Sequence, residues 1–418
     1  MPDKIAFSDT QPLRIAVVGA GPAGLMAASR AAERGLVTLF ERNEKPGKKL
    51  YITGKGRCNL TNNCAPDEFL RHVVTNPRFL YSAIYAFPPE KTIRFFEAQG
   101  LKTKTERGGR VFPASDKASD VSKALVLCAS RGGVEIVYED VRAVSREETG
   151  FTVRTRGGAQ RFDRVILAAG GMSYPSTGSN GDGLELAKKL GHPIVPCRPA
   201  LVPLVFSSPP VGLAGLSLKN VNASLINCPG SPTAFGEMLF TQTGASGPAV
   251  LSLSSYIRSD EFFGIALCLD LKPALDAETL DRRLLREFSA APNKQLSSVL
   301  AALLPRALIP CVLGAAALDG AAFVHSVTKP MREKLTATLK NLRFPLAGRG
   351  GFHQAVVTSG GVDVSRVNPK TMESRLVPGL FFAGEMLDVD ALTGGYNIQI
   401  ALSTGYAAGA VDSVLEQV

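Results

Sequence analysis

Two short apolar runs near the start of the chain, Ile15–Val18 and Leu36–Phe40, have the length and composition of buried parallel strands. Between them the pattern changes to helical spacing. Small residues repeat on one face of this helix: Ala23, Ala27, Ala28 and Ala31. We expect Gly35 to end the helix, so the segment predicts a strand–helix–strand unit of a parallel sheet.

The next part of the chain predicts more elements of the same sheet. The apolar run Phe162–Gly171 ends in glycines and is typical of the strand that returns a Rossmann-type sheet to its dinucleotide. Helices are expected over Ser119–Ser130 and Asp182–Leu190, and an amphipathic helix over Thr92–Gln99. Alternating residues within 134–156 predict a β-meander.

The hydrophobic pattern changes near Val195. Residues 196–272 contain short runs typical of strands, whereas residues 276–343 have helical periodicity. Strands return from Phe352, and a last strand and helix begin at Leu380. The simplest interpretation is a nucleotide-binding domain that is split by an insertion.

The composition is that of a globular protein of two or three domains, with 45% hydrophobic and 20% charged residues. No secretory signal is visible. Prolines and an arginine interrupt the longest apolar tract, residues 299–318, so no membrane span is expected. The seven cysteines are scattered and the four histidines lack metal-ligand spacing, which favours a reducing cytoplasm and no metal site.

The net charge of +10 indicates either an anionic partner or a basic surface that only meets solvent. Residues 276–349 of the insertion contain eleven basic and six acidic residues. This excess fits contact with the phosphate backbone of an RNA, and it also fits a plain basic surface.

Gly19, Gly21 and Gly24 have G-x-G-x-x-G spacing directly after the first strand. Gly19 permits a tight turn, Gly21 lets backbone approach a pyrophosphate, and Gly24 lets the helix pack close to the strand. Glu41 follows the second strand, 17 positions after Gly24, where a carboxylate can accept hydrogen bonds from ribose hydroxyls. These residues predict a dinucleotide site but do not distinguish FAD from NAD(P).

The C-terminal strand and helix decide between these cofactors. The strand leads to Gly384 and Glu385, and the pair Gly394–Gly395 opens a helix that is rich in small residues and can pack tightly on the first unit. In two-dinucleotide-fold flavoproteins the N-terminus of such a helix faces the pyrimidine side of the isoalloxazine ring and stabilises the reduced flavin. We therefore expect FAD.

The loop 47–63 between these motifs is basic and rich in glycine. Our hypothesis is that it covers the flavin edge, with Arg57 and Asn59 near N5 and O4 or near the substrate; a basic surface loop is the alternative. Cys58 is a candidate catalytic acid, although a packed and inert cysteine is the ordinary interpretation. A redox disulfide between Cys58 and Cys64 is a further alternative, with a spacing that differs from the flavin disulfide reductases.

Four stretches carry a family resemblance: GAGPAG at 19–24, GKKLYITGKGRCNLTNN at 47–63, AAGGMSYPSTGSNGDG at 168–183 and GLFFAGEMLDVDALTGGYNIQIALSTG at 379–405. They resemble the HI0933-like (BaiN/YhiN-like) flavoprotein family nearly from end to end. The second and fourth stretches are specific to it. The chain departs from the common family pattern at Tyr51, which is usually aliphatic, and at Lys55, which is usually glycine.

The resemblance implies an α/β fold of the two-dinucleotide-binding-domain type, in which an insert of β-barrel and helical subdomain splits a Rossmann-like FAD-binding domain. The expected segments are 1–194 (FAD-binding, first part), 195–275 (barrel), 276–345 (helical), 346–369 (barrel return) and 370–418 (FAD-binding, closing part).

The resemblance also implies a flavin-dependent oxidoreductase. We expect NADH or NADPH, bound transiently because no second G-x-G-x-x-G is present, to reduce the flavin, and a hydride then to pass to an electron-poor C=C or C=N bond. Family activities differ: reduction of steroid C=C bonds, reduction of a uridine in ribosomal RNA, and oxidase chemistry. An rRNA-modifying flavoenzyme and an amine oxidase using O₂ therefore stay open beside a C=C reductase with a small-molecule substrate.

The candidate site follows from the motifs and the resemblance together. The candidate catalytic residues are Cys58, Arg57, Asn59 and Tyr396. The candidate cofactor-binding residues are Gly19, Gly21, Pro22, Ala23, Gly24, Glu41, Arg42, Lys49, Thr53, Gly54, Arg57, Val141, Ala169, Gly170, Gly384, Glu385, Asp388, Gly395, Asn397 and Ile398.

Overall fold

The computed structural model of the protein describes residues 12–412. The ends of the predicted first and last segments, 1–11 and 413–418, lie outside the described residues. The chain divides into two compact units, one formed by Met1–Pro199 with Ala355–Val418 and the other by Ala200–Gln354.

The strands of the described residues are β1 Leu13–Val18, β2 Gly35–Phe40, β3 Thr61–Asn62, β4 Thr103–Glu106, β5 Arg110–Pro113, β6 Glu135–Val137, β7 Ala143–Arg146, β8 Phe151–Arg154, β9 Ala159–Phe162, β10 Arg164–Leu167, β11 Ile194–Ala200, β12 Leu204–Phe206, β13 Ser217–Ile226, β14 Thr233–Phe240, β15 Gly244–Ser246, β16 Ala266–Asp270, β17 Leu342–Arg349, β18 Val357–Val362 and β19 Leu380–Phe382.

The α-helices are α1 Pro22–Ala31, α2 Pro66–Arg71, α3 Tyr81–Ala86, α4 Pro89–Ala98, α5 Ala118–Arg131, α6 Asp182–Lys189, α7 Pro248–Ser254, α8 Ala277–Ala290, α9 Leu296–Leu300, α10 Ile309–Ala316, α11 Lys329–Lys340 and α12 Tyr396–Ala408. Residues Lys48–Gly56 of the basic loop form 3₁₀ turns.

The first unit contains a five-stranded sheet in the order β19-β10-β1-β2-β6. All four pairings are parallel, and β1 lies at the centre. Its residues from Ile15 to Val18 are buried, as expected for a strand with helices on both faces. The parallel order confirms the Rossmann-like fold.

Two details of this sheet differ from the sequence-based expectation. Helix α1 ends at Ala31, and Gly35 begins β2 instead of ending the helix. A Cβ on Gly35 would lie 2.1 Å from the carbonyl oxygen of Leu13, so the glycine permits close strand pairing. The predicted run Phe162–Gly171 divides into the end of β9 and the separate strand β10, because Asp163 turns back to bond Arg14.

The second unit contains a closed barrel in the order β12-β15-β14-β13-β16-β17. Helices α8 to α11 lie in the sequence between β16 and β17, and their buried residues belong to the same hydrophobic core as those of the barrel. The last barrel strand begins at Leu342, before the predicted return of strands at Phe352, since alternate residues from Leu342 are buried. These elements confirm the predicted insert of a barrel with helices.

Strands β11 and β18 form a separate two-stranded sheet, and β3-β5-β4 and β7-β8-β9 form two small sheets in the first unit. None of the helices within residues 12–412 has both the length and the apolar character needed to cross a bilayer.

Candidate functional site

The glycine-rich turn between β1 and α1 has the geometry that its spacing predicts. Gly19 adopts φ +99°, and its N–H donates to the carbonyl of Phe40 at 2.8 Å. A Cβ on Gly24 would lie 1.8 Å from the carbonyl oxygen of Gly19. No atom lies within 4 Å of a Cβ built on Gly21, so the N-terminus of α1 borders open space. A pyrophosphate fits this arrangement, because the first N–H groups of a helix lack partners within it.

Glu41 lies behind this turn and is 6% exposed. Its Oε2 accepts from the N–H of Ala20 at 2.9 Å, and its Oε1 accepts from the N–H and Nδ2 of Asn43 at 2.8 and 2.6 Å. Asn43 Nδ2 also donates to the carbonyl of Thr177 at 3.1 Å. These bonds fix the carboxylate at the carboxyl end of β2, where a ribose is expected to bind.

Arg42 connects the end of β2 to the turn before α6. Its guanidinium donates to Asn180 Oδ1 and Asp182 Oδ2, both at 2.7 Å, and pairs with Asp140 at 2.9 Å. The buried Val141 follows Asp140 in the chain. Arg42 therefore holds together three segments that border the predicted dinucleotide site.

The closing strand and helix pack directly on α1. Gly384 has φ +73°, and a Cβ there would lie 2.7 Å from Ala23 Cβ. A Cβ on Gly405 of α12 would lie 2.3 Å from the carbonyl oxygen of Ala23. Thr404 Oγ1 accepts from the N–H of Gly384 at 2.9 Å. The predicted packing of the small-residue helix on the first βαβ unit is thus present.

Gly395 is the N-cap of α12, at φ +96°, and any Cβ there would meet the carbonyl oxygen of Thr61 at 2.4 Å. Asn62 Nδ2 donates to the carbonyl of Gly394 at 3.2 Å. The N-terminus of α12 therefore lies against β3, at the end of the basic loop. Because this loop also follows Glu41, it connects the two ends of the candidate site.

A partly buried polar cluster joins the basic loop to the closing turn. Lys49 Nζ donates to Glu385 Oε2 at 2.7 Å and to Ser173 Oγ at 2.6 Å. Glu385 Oε1 accepts from Ser173 Oγ at 2.5 Å and from the N–H of Thr358 at 2.9 Å. Burial raises the pKa of Glu385, but the Lys49 charge and these hydrogen bonds outweigh it and hold that pKa below its usual value.

Arg57 has acidic partners within the same unit. It pairs with Glu106 and with Asp116 and lies over the ring of Phe112, 4.2 Å from the centroid. Its predicted role beside the flavin stays a prediction. The neighbouring Asn59 has a buried Oδ1 for which the described residues provide no hydrogen-bond partner.

Cys58 is fully buried, and this burial raises the pKa of its thiol to about 12. Cys64 is less buried, with a pKa raised to about 11 by burial. Both are free thiols, like the other five cysteines. The structure therefore holds Cys58 as a protonated thiol, and the predicted disulfide alternative is not formed.

Tyr396, the first residue of α12, is 5% exposed, and burial raises the pKa of its hydroxyl. Its ring stacks on His72 with centroids 4.5 Å apart. The next residue, Asn397, donates from Nδ2 to the carbonyl of Ala391 at 2.7 Å and accepts the N–H of the same residue at 3.0 Å. Asn397 thus closes the loop that precedes α12.

The remaining candidates border the same loops. Asn76 Nδ2 donates to the carbonyl and carboxylate oxygens of Asp388 at 2.7 and 3.0 Å. Thr53 Oγ1 donates to the carbonyl of Leu50 at 2.7 Å, and Gly170 adopts φ +80° after β10. Other candidates in these segments are Pro22, Gly54, Ala169 and Ile398.

Sequence reasoning missed four residues that shape the site: Asn43, Asn76, Ser173 and Thr358. Ser173 lies inside one of the family-like stretches, so its motif was a signal. Thr358 lies outside those stretches, and no local pattern marks it.

Comparison with known proteins agrees with this architecture. The model of the HI0933-like protein Rossmann domain matches residues 13–411. The chain is 36% identical to a 3-dehydro-bile acid delta(4,6)-reductase of Clostridium scindens over 95% of this chain and 98% of that protein. It is 33% identical to a ribosomal RNA dihydrouridine synthase of Escherichia coli over 94% of this chain and 96% of that protein.

A solved structure shares the fold. The 3-ketosteroid delta1-dehydrogenase of Sterolibacterium denitrificans superimposes with a TM-score of 0.50, at 13% identity, over 96% of this chain and 99% of that chain. The family match spans both units and includes the glycine-rich turn, the basic loop and the closing helix. The chain therefore belongs to the HI0933-like family and is a flavin-dependent oxidoreductase.

Proposed function

We propose that the protein is an FAD-dependent reductase that uses NADH or NADPH to saturate a C=C bond conjugated to a carbonyl group. The observation that carries this proposal is the packing of the closing unit on the dinucleotide turn, where Gly384 and Gly405 both meet Ala23. This packing sets α12 against α1, so the N-termini of both helices would face one bound flavin dinucleotide.

The residues present fit an FAD. The open side of Gly21 and the N-terminus of α1 would hold its pyrophosphate, and Glu41 would accept from its ribose. The turn at Ala169 and Gly170 and the N-terminus of α12 would meet the flavin half. Bound FAD supplies hydride transfer, so that substrate, NAD(P)H and one proton give the saturated product and NAD(P)⁺.

Two buried groups at this site are suited to keep a proton. The raised pKa of Cys58, about 12, leaves its thiol protonated at neutral pH, and burial likewise keeps the Tyr396 hydroxyl protonated. Tyr396, at the first position of α12, would supply the proton that the second carbon of the reduced bond takes up, whereas the fully buried Cys58 keeps its proton away from any ligand.

The relatives support the reaction type. The names of the bile-acid reductase and of the dihydrouridine synthase both describe the addition of two hydrogen atoms across C=C bonds. In both substrate types the C=C bond is conjugated to a carbonyl group. This carbonyl stabilises the negative charge that develops when a hydride adds to the alkene carbon farther from it. We therefore infer that the substrate is a planar, conjugated carbonyl compound.

The test begins with the purified protein, which is expected to absorb near 450 nm. Under anaerobic conditions NADH or NADPH is expected to bleach this absorbance, and a 3-oxo-4-ene steroid is expected to restore it with formation of the saturated ketone. A colourless protein, or a flavin that neither nucleotide reduces, contradicts the proposal. Formation of H₂O₂ with an amine, without enone reduction, indicates an oxidase.

A second candidate, reduction of a uridine in ribosomal RNA, is favoured by charges in the second unit. Five of its basic residues within 276–349 pair with carboxylates: Arg283, Lys329, Arg332, Lys340 and Arg349. The other six have no carboxylate partner among the described residues: Arg282, Arg286, Lys294, Arg306, Lys334 and Arg343. Such cations suit a phosphate backbone.

Mass spectrometry of rRNA nucleosides from wild-type and deletion strains tests this second candidate. Loss of dihydrouridine in the deletion strain, restored by the wild-type gene and not by the Arg282→Glu/Arg286→Glu variant, supports it. Unchanged rRNA nucleosides contradict it. Both arginines lie on α8, one helical turn apart, so the double variant reverses the charge of one helix face.

A further inference from the structure

An open cleft of about 380 Å³ lies in the first unit beside the basic loop. Its lining residues are Glu44 and Lys45, which precede the basic loop, Lys48, Tyr51 and Ile52 within the loop, and Ser176 and Thr177 from the turn before α6. Its volume is within the range of about 300–1,000 Å³ that small-molecule sites usually have. None of these seven residues belongs to the candidate cofactor or catalytic set.

The lining is mainly apolar, with charged groups among the residues that border it. Tyr51 and Ile52 are 38% and 45% exposed, which is unusual for two adjacent large hydrophobic residues. Lys45 and Lys48 supply positive charge, and Glu44 pairs with Lys48 at 3.6 Å. An aromatic face for a base, ammonium groups for phosphates and a carboxylate for ribose hydroxyls are together the chemistry of a nucleotide site.

The walls of the cleft are fixed to both ends of the candidate flavin site. Asn43, next to Glu44, bonds Glu41 on one side and the carbonyl of Thr177 on the other. Lys49, next to Lys48, bonds Ser173 and Glu385. A ligand in the cleft would therefore lie beside the segment that joins the ribose end of the FAD site to its closing turn.

We propose that this cleft binds the adenosine pyrophosphate half of the pyridine-nucleotide donor. The inference rests on the proposed function, which requires NADH or NADPH but leaves the donor without a site, since the sequence has no second G-x-G-x-x-G. The pyrophosphate meets Lys45 and Lys48, the adenine lies on Tyr51 and Ile52, and the ribose hydroxyls meet Glu44.

The experiment titrates ADP, and separately 2′,5′-ADP, into the oxidised, FAD-saturated enzyme by isothermal titration calorimetry. Because FAD fills its own site, added nucleotide reports a second site. The double variant Lys45→Ala/Lys48→Ala is expected to raise the dissociation constant of ADP about tenfold, and Tyr51→Leu, which removes the ring but keeps apolar volume, about threefold.

Lys123→Ala is the matched control, because Lys123 is an exposed lysine of α5 in the same unit and does not line the cleft. It is expected to change the dissociation constant by less than about twofold. All variants must keep the wild-type FAD content per chain, measured as flavin released on denaturation against protein quantified by amino-acid analysis, which shows that the FAD site is intact. Tighter binding of 2′,5′-ADP than of ADP identifies NADPH as the donor, and the reverse identifies NADH.

Anaerobic flavin reduction supplies the second readout. The NAD(P)H concentration that gives the half-maximal rate is expected to rise about tenfold in the double lysine variant and about threefold in Tyr51→Leu. The limiting rate of flavin reduction is expected to stay within about twofold of the wild-type rate. The proposed nucleotide site is wrong if the wild-type holoenzyme fails to bind ADP, or if the double lysine variant binds ADP as tightly as the wild type does. If ADP binds as proposed but neither nucleotide reduces the flavin, the proposed donor is wrong and the nucleotide site stands.

Discussion

Lys49 Nζ lies 2.7 Å from Glu385 Oε2, although 336 positions separate the two residues in the chain. The pair joins the loop after the first βαβ unit to the turn that closes the sheet. Ser173 bonds both partners, so the β10 end of the sheet is part of the same cluster. The two halves of the candidate flavin site are therefore fixed to each other by charge as well as by packing.

Lys49→Met is expected to destabilise the protein by about 2 kcal/mol, because it leaves the carboxylate of Glu385 largely buried without its cation. The two side chains are 20% and 22% exposed, which keeps the loss below that of a fully buried pair. Glu385→Gln is expected to cost less, since the amide still accepts from Ser173. Urea unfolding of the FAD-saturated proteins measures both.

The double variant Lys49→Met/Glu385→Gln measures how much the interaction between Lys49 and Glu385 contributes to the free energy of unfolding. Its loss of unfolding free energy is expected to be smaller than the sum of the single losses by about 1 kcal/mol, since each single change leaves the other partner unpaired. Additive losses would show that the two residues act independently.

Gly405→Ala is expected to weaken both folding and flavin retention. The new methyl group would lie 2.3 Å from the carbonyl oxygen of Ala23, so α12 must move away from α1. We expect a loss of about 3 kcal/mol in unfolding free energy and a lower flavin content after gel filtration.

Gly314→Ala is the control for this change. Gly314 lies in α10, and a Cβ there meets no atom within 4 Å. Alanine is expected to stabilise this helix by about 0.5–1 kcal/mol, because glycine loses more backbone entropy on folding. Equal effects of the two substitutions would contradict the close contact between α1 and α12.

Sequence patterns predicted the features of the site that depend on local spacing. Gly19, Gly24 and the helix after Gly395 follow from neighbours a few positions away, and each has the expected conformation. Gly35 was assigned to the wrong element, because a glycine that ends a helix and a glycine that starts a close-packed strand look alike in sequence.

Contacts between distant segments could not be predicted in the same way. Thr358 bonds Glu385 only because β18 and the closing turn meet in the fold, and no motif marks the threonine. No local pattern indicated that Arg57 pairs with Glu106 and Asp116, which come from later segments. Charge patterns along a loop do not show which partners the fold will bring.

Cys58 is expected to resist alkylation in the native protein. Its side chain is buried, and a thiol pKa raised to about 12 leaves far less thiolate at pH 8 than an ordinary cysteine has. Cys128, which is partly exposed on α5, is the internal control. Peptide mass spectrometry after treatment with iodoacetamide is expected to show Cys128 labelled at least about a hundredfold faster. Comparable labelling of the two would show that Cys58 reaches solvent.

Tyr396→Phe tests the proposed proton donor. If the hydroxyl donates the proton, the variant is expected to reduce its flavin with NAD(P)H at the wild-type rate and to reduce the enone about a hundredfold more slowly. Cys58→Ala is the control, because the fully buried thiol does not reach the substrate and its loss is expected to leave the rate of enone reduction at the wild-type level. A slower flavin reduction in either variant would indicate a disturbed cofactor site instead of a lost acid.

His192 is buried as the neutral imidazole. Its Nε2 lies 2.7 Å from Ser374 Oγ, which already accepts the N–H groups of Leu376 and Val377. The single hydroxyl proton of Ser374 is therefore directed to Nε2, and we assign the ring proton to Nδ1. Nδ1 has no hydrogen-bond partner among the described residues. Burial lowers the pKa of His192 from 6.5 to about 4, because the charged ring would lose its solvent.

This lowered pKa makes the fold sensitive to mild acid. The unfolded chain binds a proton at His192 below about pH 6.5, whereas the folded chain binds it only below about pH 4. The stability is therefore full above pH 6.5 and falls as the pH drops from about 6.5 to about 4. The contribution of His192 to this loss is expected to be about 2 kcal/mol at pH 5. His192→Gln, which still accepts from Ser374 and does not titrate, is the comparison. Urea unfolding at pH 7.5 and pH 5 is expected to show the wild-type stability falling by about 2 kcal/mol more than that of His192→Gln, and a parallel fall in both proteins would exclude His192 as the titrating group.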